Sequence, residues 1–206
     1  MLPNFLIIGA AKSGTTWLYE KLRRHPEVYM PGVKELAFFS RDDNSAGKTQ
    51  EWYEKHFETA PAVGEATPAY LYHQQAPRRI AELIPDVKLI ACLRYPTDRT
   101  YSHYWMNRGL GEVDCTFREA IRGGQRPCVE QSLYGEQIDR YLSCFERDQL
   151  LILISEEIFS EPSASLNQVC SFLRVDDTFY QGQEWVGSGV DPLLWTPHGF
   201  HAATSD

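Results

Sequence analysis

The chain has 206 residues, of which 43% are hydrophobic and 23% charged, with a formal net charge of −8. That length and mix predict one folded domain around a sizeable core and exclude a disordered or low-complexity polypeptide. The acidic balance argues against a general nucleic-acid binder, which needs a basic face, and weighs against a large polyanionic partner unless a local basic cleft offsets it.

In chain order, MLPN precedes the apolar run Phe5-Leu6-Ile7-Ile8. This run is too short for a signal peptide or a membrane span and reads as a strand buried on both faces. After a glycine-containing turn, Thr15 to His25 reads as a helix closed by Pro26, with Leu18 and Leu22 one turn apart on its buried side. Gln74 to Ile84 is a second helix, with Pro77 in its first turn. Val87 to Leu93 (VKLIACL) is a second buried strand, followed by Arg94-Tyr95-Pro96 and a helix from about Thr97 to Asn107. Gly135 to Phe145 is helical by period, and Leu150 to Ile154 (LLILI) is a third buried strand. Ser160-Glu161-Pro162-Ser163 then opens a helix carrying Leu166, Val169, Cys170 and Leu173. Short apolar strands alternating with amphipathic helices predict an α/β layered fold with a mostly parallel sheet. In such sheets ligands sit beyond the carboxyl ends of the strands.

Five cysteines, at 92, 115, 128, 144 and 170, show no paired short spacing, so neither a zinc site nor a disulfide framework is expected. A reducing cytoplasm is the simplest reading of them.

The first strand runs into Gly9-Ala10-Ala11-Lys12-Ser13-Gly14-Thr15-Thr16-Trp17. Glycine and small residues let the backbone curl so that successive N–H groups face an anion. The following helix aims its positive end at the same point, with Thr15 and Thr16 adding hydroxyls and Lys12 a full charge. The bland alternative is a tight turn with a surface lysine. The nucleoside triphosphate pattern GxxxxGK[ST] does not fit, because Lys12 precedes Gly14 instead of following the last glycine. A kinase also wants a magnesium-binding Asp near a second strand end, and VKLIACL ends instead at Arg94.

AAKSGTTWL resembles the 5′-phosphosulfate loop of sulfotransferases that use 3′-phosphoadenosine-5′-phosphosulfate (PAPS), and LIACLRYPTDRTYSHY resembles their 3′-phosphate site. HPEVYMPGVKELAFFS, VGEATPAYLY, Tyr134-Gly135-Glu136-Gln137 and LLILISEEIFSEP are similar to further landmarks of the heparan-type and bacterial branch, so the likeness covers about residues 4 to 175. It implies a P-loop-like three-layer α/β fold over a single domain, PAPS as co-substrate and no metal. It also implies sulfuryl transfer to a hydroxyl or amine of a small metabolite or glycan. Site residues carry over by position: Lys12, Ser13, Gly14, Thr15, Thr16 and Trp17 for the phosphosulfate, and Arg94 with Ser102, eight positions on, for the 3′-phosphate.

Lys12 then stabilises the leaving phosphate, and Glu35 in KELAFFS is the base, its proton affinity raised in a partly desolvated cleft; a solvated partner for Lys34 is the alternative. His103 is a second candidate base, while His25 reads as a helix-end residue. The sequence departs from the heparan-type pattern at Ala37, where that branch has His, and at Ala66, where it has Lys. Both lie on the acceptor side, which points away from a heparan-like sugar. Glu65 either lies near the cleft or caps a turn. The aromatics Tyr101, Tyr104 and Trp105 read as core, with an apolar acceptor pocket as the alternative. The tail WVGSGVDPLLWTPHGFHAATSD holds no Lys or Arg, where the family has a basic loop closing over the nucleotide. A catalytically impaired PAPS-binding protein therefore stands beside the enzyme reading, and a nucleotide kinase behind both.

Overall fold

The computed structural model describes residues 1–40, 47–123 and 126–183. The tail beyond them, on which the expectation of a missing basic loop falls, lies outside the described residues. The centre is a five-stranded parallel sheet in the order β2-β3-β1-β4-β5. Its strands are β1 (Phe5–Gly9), β2 (Val28–Tyr29), β3 (Ala62–Ala66), β4 (Lys88–Leu93) and β5 (Leu150–Ile154). β1 is central, with Phe5 in register with Gly64 of β3 on one side and Lys88 of β4 on the other. Helices cover both faces, as a parallel sheet requires. The expected P-loop-like three-layer architecture is therefore present.

Alternation along the strands sorts side chains between the two layers. Leu6 and Ile8 of β1 with Leu89 and Ala91 of β4 face one core, shared with Phe38, Phe39, Tyr53, Tyr70, Ile80 and Tyr141. These come from α2 (Gln50–Glu54), α3 (Ala69–Tyr72), α4 (Ala76–Leu83), α8 (Tyr134–Leu142) and the segment before α2. Phe5 and Ile7 with Ile90 and Cys92 face the other core, filled by Leu18, Leu22, Ile158, Leu166, Val169 and Leu173. Its helices are α1 (Thr15–Leu22), α9 (Ser155–Ser160) and α10 (Pro162–Leu173). A smaller cluster of Tyr104, Val113 and Ala120 joins α5 (Pro96–Gly109) to α6 (Phe117–Gly123), which precedes α7 (Arg126–Glu130).

The apolar runs lie where the sequence predicts them, as β1, β4 and β5. α1 ends at Leu22, three residues short of the expectation, because His25 is used elsewhere: its Nδ1 accepts from the Glu27 amide and its Nε2 bonds the Asp176 carbonyl at 2.9 Å. α8 likewise stops at Leu142. β3, like the two-residue β2, is a strand the apolar pattern misses. Gly64 and Glu65 interrupt it, yet all five of its residues are buried. A Cβ at Gly64 would stand 2.4 Å from the Phe5 ring, so glycine is what admits that ring against β3. Among the described residues no helix is long and apolar enough to cross a membrane.

Candidate active site

The carboxyl ends of β1 and β4 open onto a cleft of about 640 Å³. Ala10 N–H donates to the Cys92 carbonyl at 2.7 Å and so ties the loop after β1 to β4. Lys12 (φ 70°) and Gly14 (φ 89°) both take left-handed backbone conformations, and Gly14 is the N-cap of α1. That curl turns the loop around the positive end of a helix whose first N–H groups have no intrahelical acceptor. Gly9, at φ 151°, lets the chain leave the sheet beneath α3: a Cβ there would lie 2.7 Å from both Leu71 and the Pro68 carbonyl.

Lys12, Gly14, Thr15, Thr16, Trp17, Glu35, Arg94 and Ser102 all line this cleft. Residues widely spaced in sequence thus meet at one place. Ser13 is the exception among the sequence candidates: it is fully buried and does not line the cleft, its hydroxyl turned inward toward Tyr134. Arg94, 9% exposed, likewise has a buried Nη1 with no partner among the described residues. Buried polar atoms are seldom left unpaired. An orphaned guanidinium nitrogen at a cleft wall fits an anion as its missing partner. Lys12 has its pKa held below the usual lysine value, first by burial and then by the Arg94 charge. An anion between the two cations would reverse that effect.

Five cations face the cleft, Lys12, Lys21, Arg24, Lys34 and Arg94, against the acids Glu20 and Glu35. The local field is therefore positive on a chain whose net charge is −8. Arg94 is positioned by Tyr134 at the start of α8, whose hydroxyl donates to the Arg94 carbonyl at 3.1 Å and accepts from its amide at 3.4 Å. Burial raises the Tyr134 pKa, which keeps the phenol a neutral donor. Phe159 of α9 stands edge-on to Trp17, with centroids 5.8 Å apart, and supplies an apolar wall. Sequence reasoning did not single out Tyr134 or Phe159 for the site, since each is brought there only by the sheet order.

Glu35 lines the cleft in a left-handed conformation (φ 67°), with its amide donating to the Ala66 carbonyl at 3.0 Å. Its side chain is 54% exposed and paired with Lys34 at 2.6 Å. The partly desolvated setting expected of this carboxylate is therefore not what the structure shows.

The segment behind Glu35 is held by a buried polar cluster. Glu65 is 1% exposed and accepts from Tyr53 Oη (2.8 Å), Tyr70 Oη (2.6 Å) and Thr67 Oγ1 (2.7 Å). The Leu36 amide also bonds it. Ala37 N–H donates to Thr67 Oγ1 and Phe38 N–H to Tyr70 Oη. Glu65 is therefore neither a cleft residue nor a turn cap; it braces the loop that presents Glu35. Burial raises its pKa, and the three hydroxyl donors oppose that rise. Ala66 is buried in the sheet, and Ala37 lies in the braced loop.

His103 lines the cleft, but its Nδ1 is taken by Arg99 at 3.2 Å and its pKa is lowered to about 4, chiefly by burial and then by the Arg99 and Lys12 charges. A ring with so low a proton affinity is a poor general base near neutral pH. Tyr104 packs in the small α5–α6 core with Trp105 against it and follows the core reading, whereas Tyr101 stands exposed on Phe117 (5.1 Å), in neither the core nor the cleft. No group of three His, Cys, Asp or Glu that could hold a metal occurs among the described residues.

A sequence model of the sulfotransferase domain matches residues 2–184. The mouse bifunctional heparan sulfate N-deacetylase/N-sulfotransferase 4 is 34% identical over 197 residues, covering 84% of this chain and 22% of that protein. The human N-deacetylase/N-sulfotransferase 3 is 32% identical over the same length. The chain thus spans about a fifth of the length of these curated relatives. A solved sulfotransferase from Alicyclobacillus acidocaldarius superposes with a TM-score of 0.77 at 30% identity, covering 89% of this chain and 87% of that one. A mouse sulfotransferase solved with PAP shares the fold at a TM-score of 0.61 and 17% identity.

Proposed function

The chain belongs to the sulfotransferase domain family, and on that premise we propose that it transfers the sulfuryl group of PAPS to a hydroxyl or amine of a small metabolite or glycan acceptor. The observation that carries this reading is the cleft that joins the curled Lys12 loop to Arg94 and its orphaned Nη1. Arg94 and Ser102 would hold the 3′-phosphate, the group that sets PAPS apart from ordinary adenine nucleotides. The loop from Ser13 to Trp17 would hold the 5′-phosphosulfate, with Ser13 acting through its backbone N–H because its hydroxyl is turned inward. Trp17 and Phe159 offer the apolar wall for a flat base.

When bound, PAPS supplies the sulfuryl group together with a phosphate leaving group. Lys12 stabilises the negative charge that gathers on that phosphate as the S–O bond to it breaks. Glu35 takes the acceptor proton as the new bond to sulfur forms, provided that acceptor binding parts it from Lys34 and strips its water. Glu20 and Glu35 are the acids lining the cleft, and Glu35 alone of the two lies in the segment braced by Glu65.

The test is direct transfer: PAPS with a panel of hydroxyl- and amine-bearing acceptors, read by the mass of the sulfated product. Glu35→Gln should keep nucleotide binding while lowering turnover by about 100-fold or more. Turnover equal to wild type would move the base elsewhere.

A further inference from the structure

Helix α5 carries a buried cation whose role is not explained by binding either phosphate. Arg99 has no exposed surface. Its Nε donates to Ser132 Oγ, its Nη2 to the Cys128 carbonyl, and its Nη1 to Gln131 Oε1 (3.5 Å) and His103 Nδ1 (3.2 Å). Arginine has only donors and stays protonated in proteins, so Nδ1 of His103 is the acceptor in that last contact. Because the ring is neutral, its proton resides on Nε2.

Nε2 makes no hydrogen bond to any described residue and is not sealed from the cleft that the ring lines. Of the cleft cations, Lys12 is the one whose charge reaches His103. The ring thus shares the cleft with Lys12, and it follows Ser102 directly in α5.

We propose that Arg99 fixes His103 as a neutral hydrogen-bond donor whose Nε2–H contacts the sulfuryl oxygens during transfer. This rests on the sulfuryl-transfer reading above and adds a residue to it. His103 keeps its proton throughout: the acceptor proton goes to Glu35, the sulfur–oxygen bond to the phosphate breaks, and the bond from sulfur to the acceptor forms. A neutral donor held by a buried arginine is in place before the reaction and adds no further positive charge beside Lys12 and Arg94. Arg99 is a positioning residue in this scheme, because it acts only through the ring.

The experiment compares wild type with His103→Phe and His103→Gln in turnover with PAPS and in calorimetric binding of adenosine 3′,5′-bisphosphate (PAP), which lacks the sulfuryl group. His103→Phe should lower kcat by about 100-fold, the usual cost of one such donor, and leave PAP affinity within about 3-fold. His103→Gln, whose amide can donate near the Nε2 position, should recover part of the loss. In parallel, ¹⁵N spectra of the wild-type histidines at neutral pH should show a ring protonated on Nε2 alone besides that of His25, its signal absent from His103→Gln.

Three results overturn the proposal while leaving the sulfuryl-transfer reading standing: kcat unchanged in His103→Phe, a loss of PAP affinity that matches the loss of turnover, or a His103 ring protonated on Nδ1. Wild type that neither binds PAP nor turns over PAPS would overturn that reading, and this proposal with it.

Discussion

Replacing Glu65 by Gln tests whether the buried cluster behind Glu35 is a brace or passive filling. The carboxylate accepts bonds from Tyr53, Tyr70, Thr67 and the Leu36 amide. Bonds to a charged group contribute about 1.5–3 kcal/mol each, but the charge is fully buried, and its desolvation offsets much of that sum. Gln keeps one oxygen, enough for Tyr53 and Tyr70, which share Oε1. It puts an NH₂ where the other oxygen accepted from Thr67, so that hydroxyl loses its charged acceptor and must turn, at about 2–3 kcal/mol. For a chain of this size each kcal/mol moves Tm by about 2–4 °C, so a fall of roughly 4–12 °C is expected.

The same substitution changes the pH dependence. Glu65 has its pKa raised on folding, so the folded state holds a proton that the unfolded chain has already lost. Wild-type stability therefore falls as pH rises from the unfolded carboxylate value through the raised folded one, and is greater below that window. Gln cannot titrate, so its variant should lack this slope. Thermal melts of both proteins across the acid range, with kcat in parallel, read all three effects. An unchanged Tm, or a slope retained in Glu65→Gln, would refute the account of the cluster.

Lys12→Ala should lower kcat by about 10²–10³-fold with little loss of stability, checked by turnover beside thermal melts. Tyr134→Phe removes both bonds that seat the Arg94 backbone. A cost of about 1.4 kcal/mol, or roughly 10-fold in PAP affinity measured by calorimetry, is expected. An affinity equal to wild type would mean that β4 alone positions Arg94.

The parts of this structure that are legible in the sequence are those written contiguously. FLIIG, KLIACL and LLILI are buried on both faces and read as apolar runs, and the Lys12 loop shows its chemistry in order along the chain. AVGEA does not read as a strand, because its glycine makes room for the Phe5 ring and its glutamate is buried with hydrogen bonds from the hydroxyls of Tyr53, Thr67 and Tyr70. The two-residue β2 carries no periodicity at all. In the site, Lys12, Arg94 and Ser102 follow from motif position, whereas Phe159 reaches the cleft only through the pairing of β5 with β4. The role of His103 depends on which ring nitrogen Arg99 occupies, and only side-chain geometry reveals that.

The claim on which everything else rests is that the cleft holds a 3′-phosphorylated adenosine nucleotide between Lys12 and Arg94. Calorimetric titration of wild type and Arg94→Ala with PAP, beside ATP–magnesium, addresses it most directly. The account predicts tight binding of PAP by wild type, at least 10-fold weaker binding by Arg94→Ala, and little affinity of either for ATP–magnesium. Absence of PAP binding by wild type, or equal affinity in the variant, would contradict it.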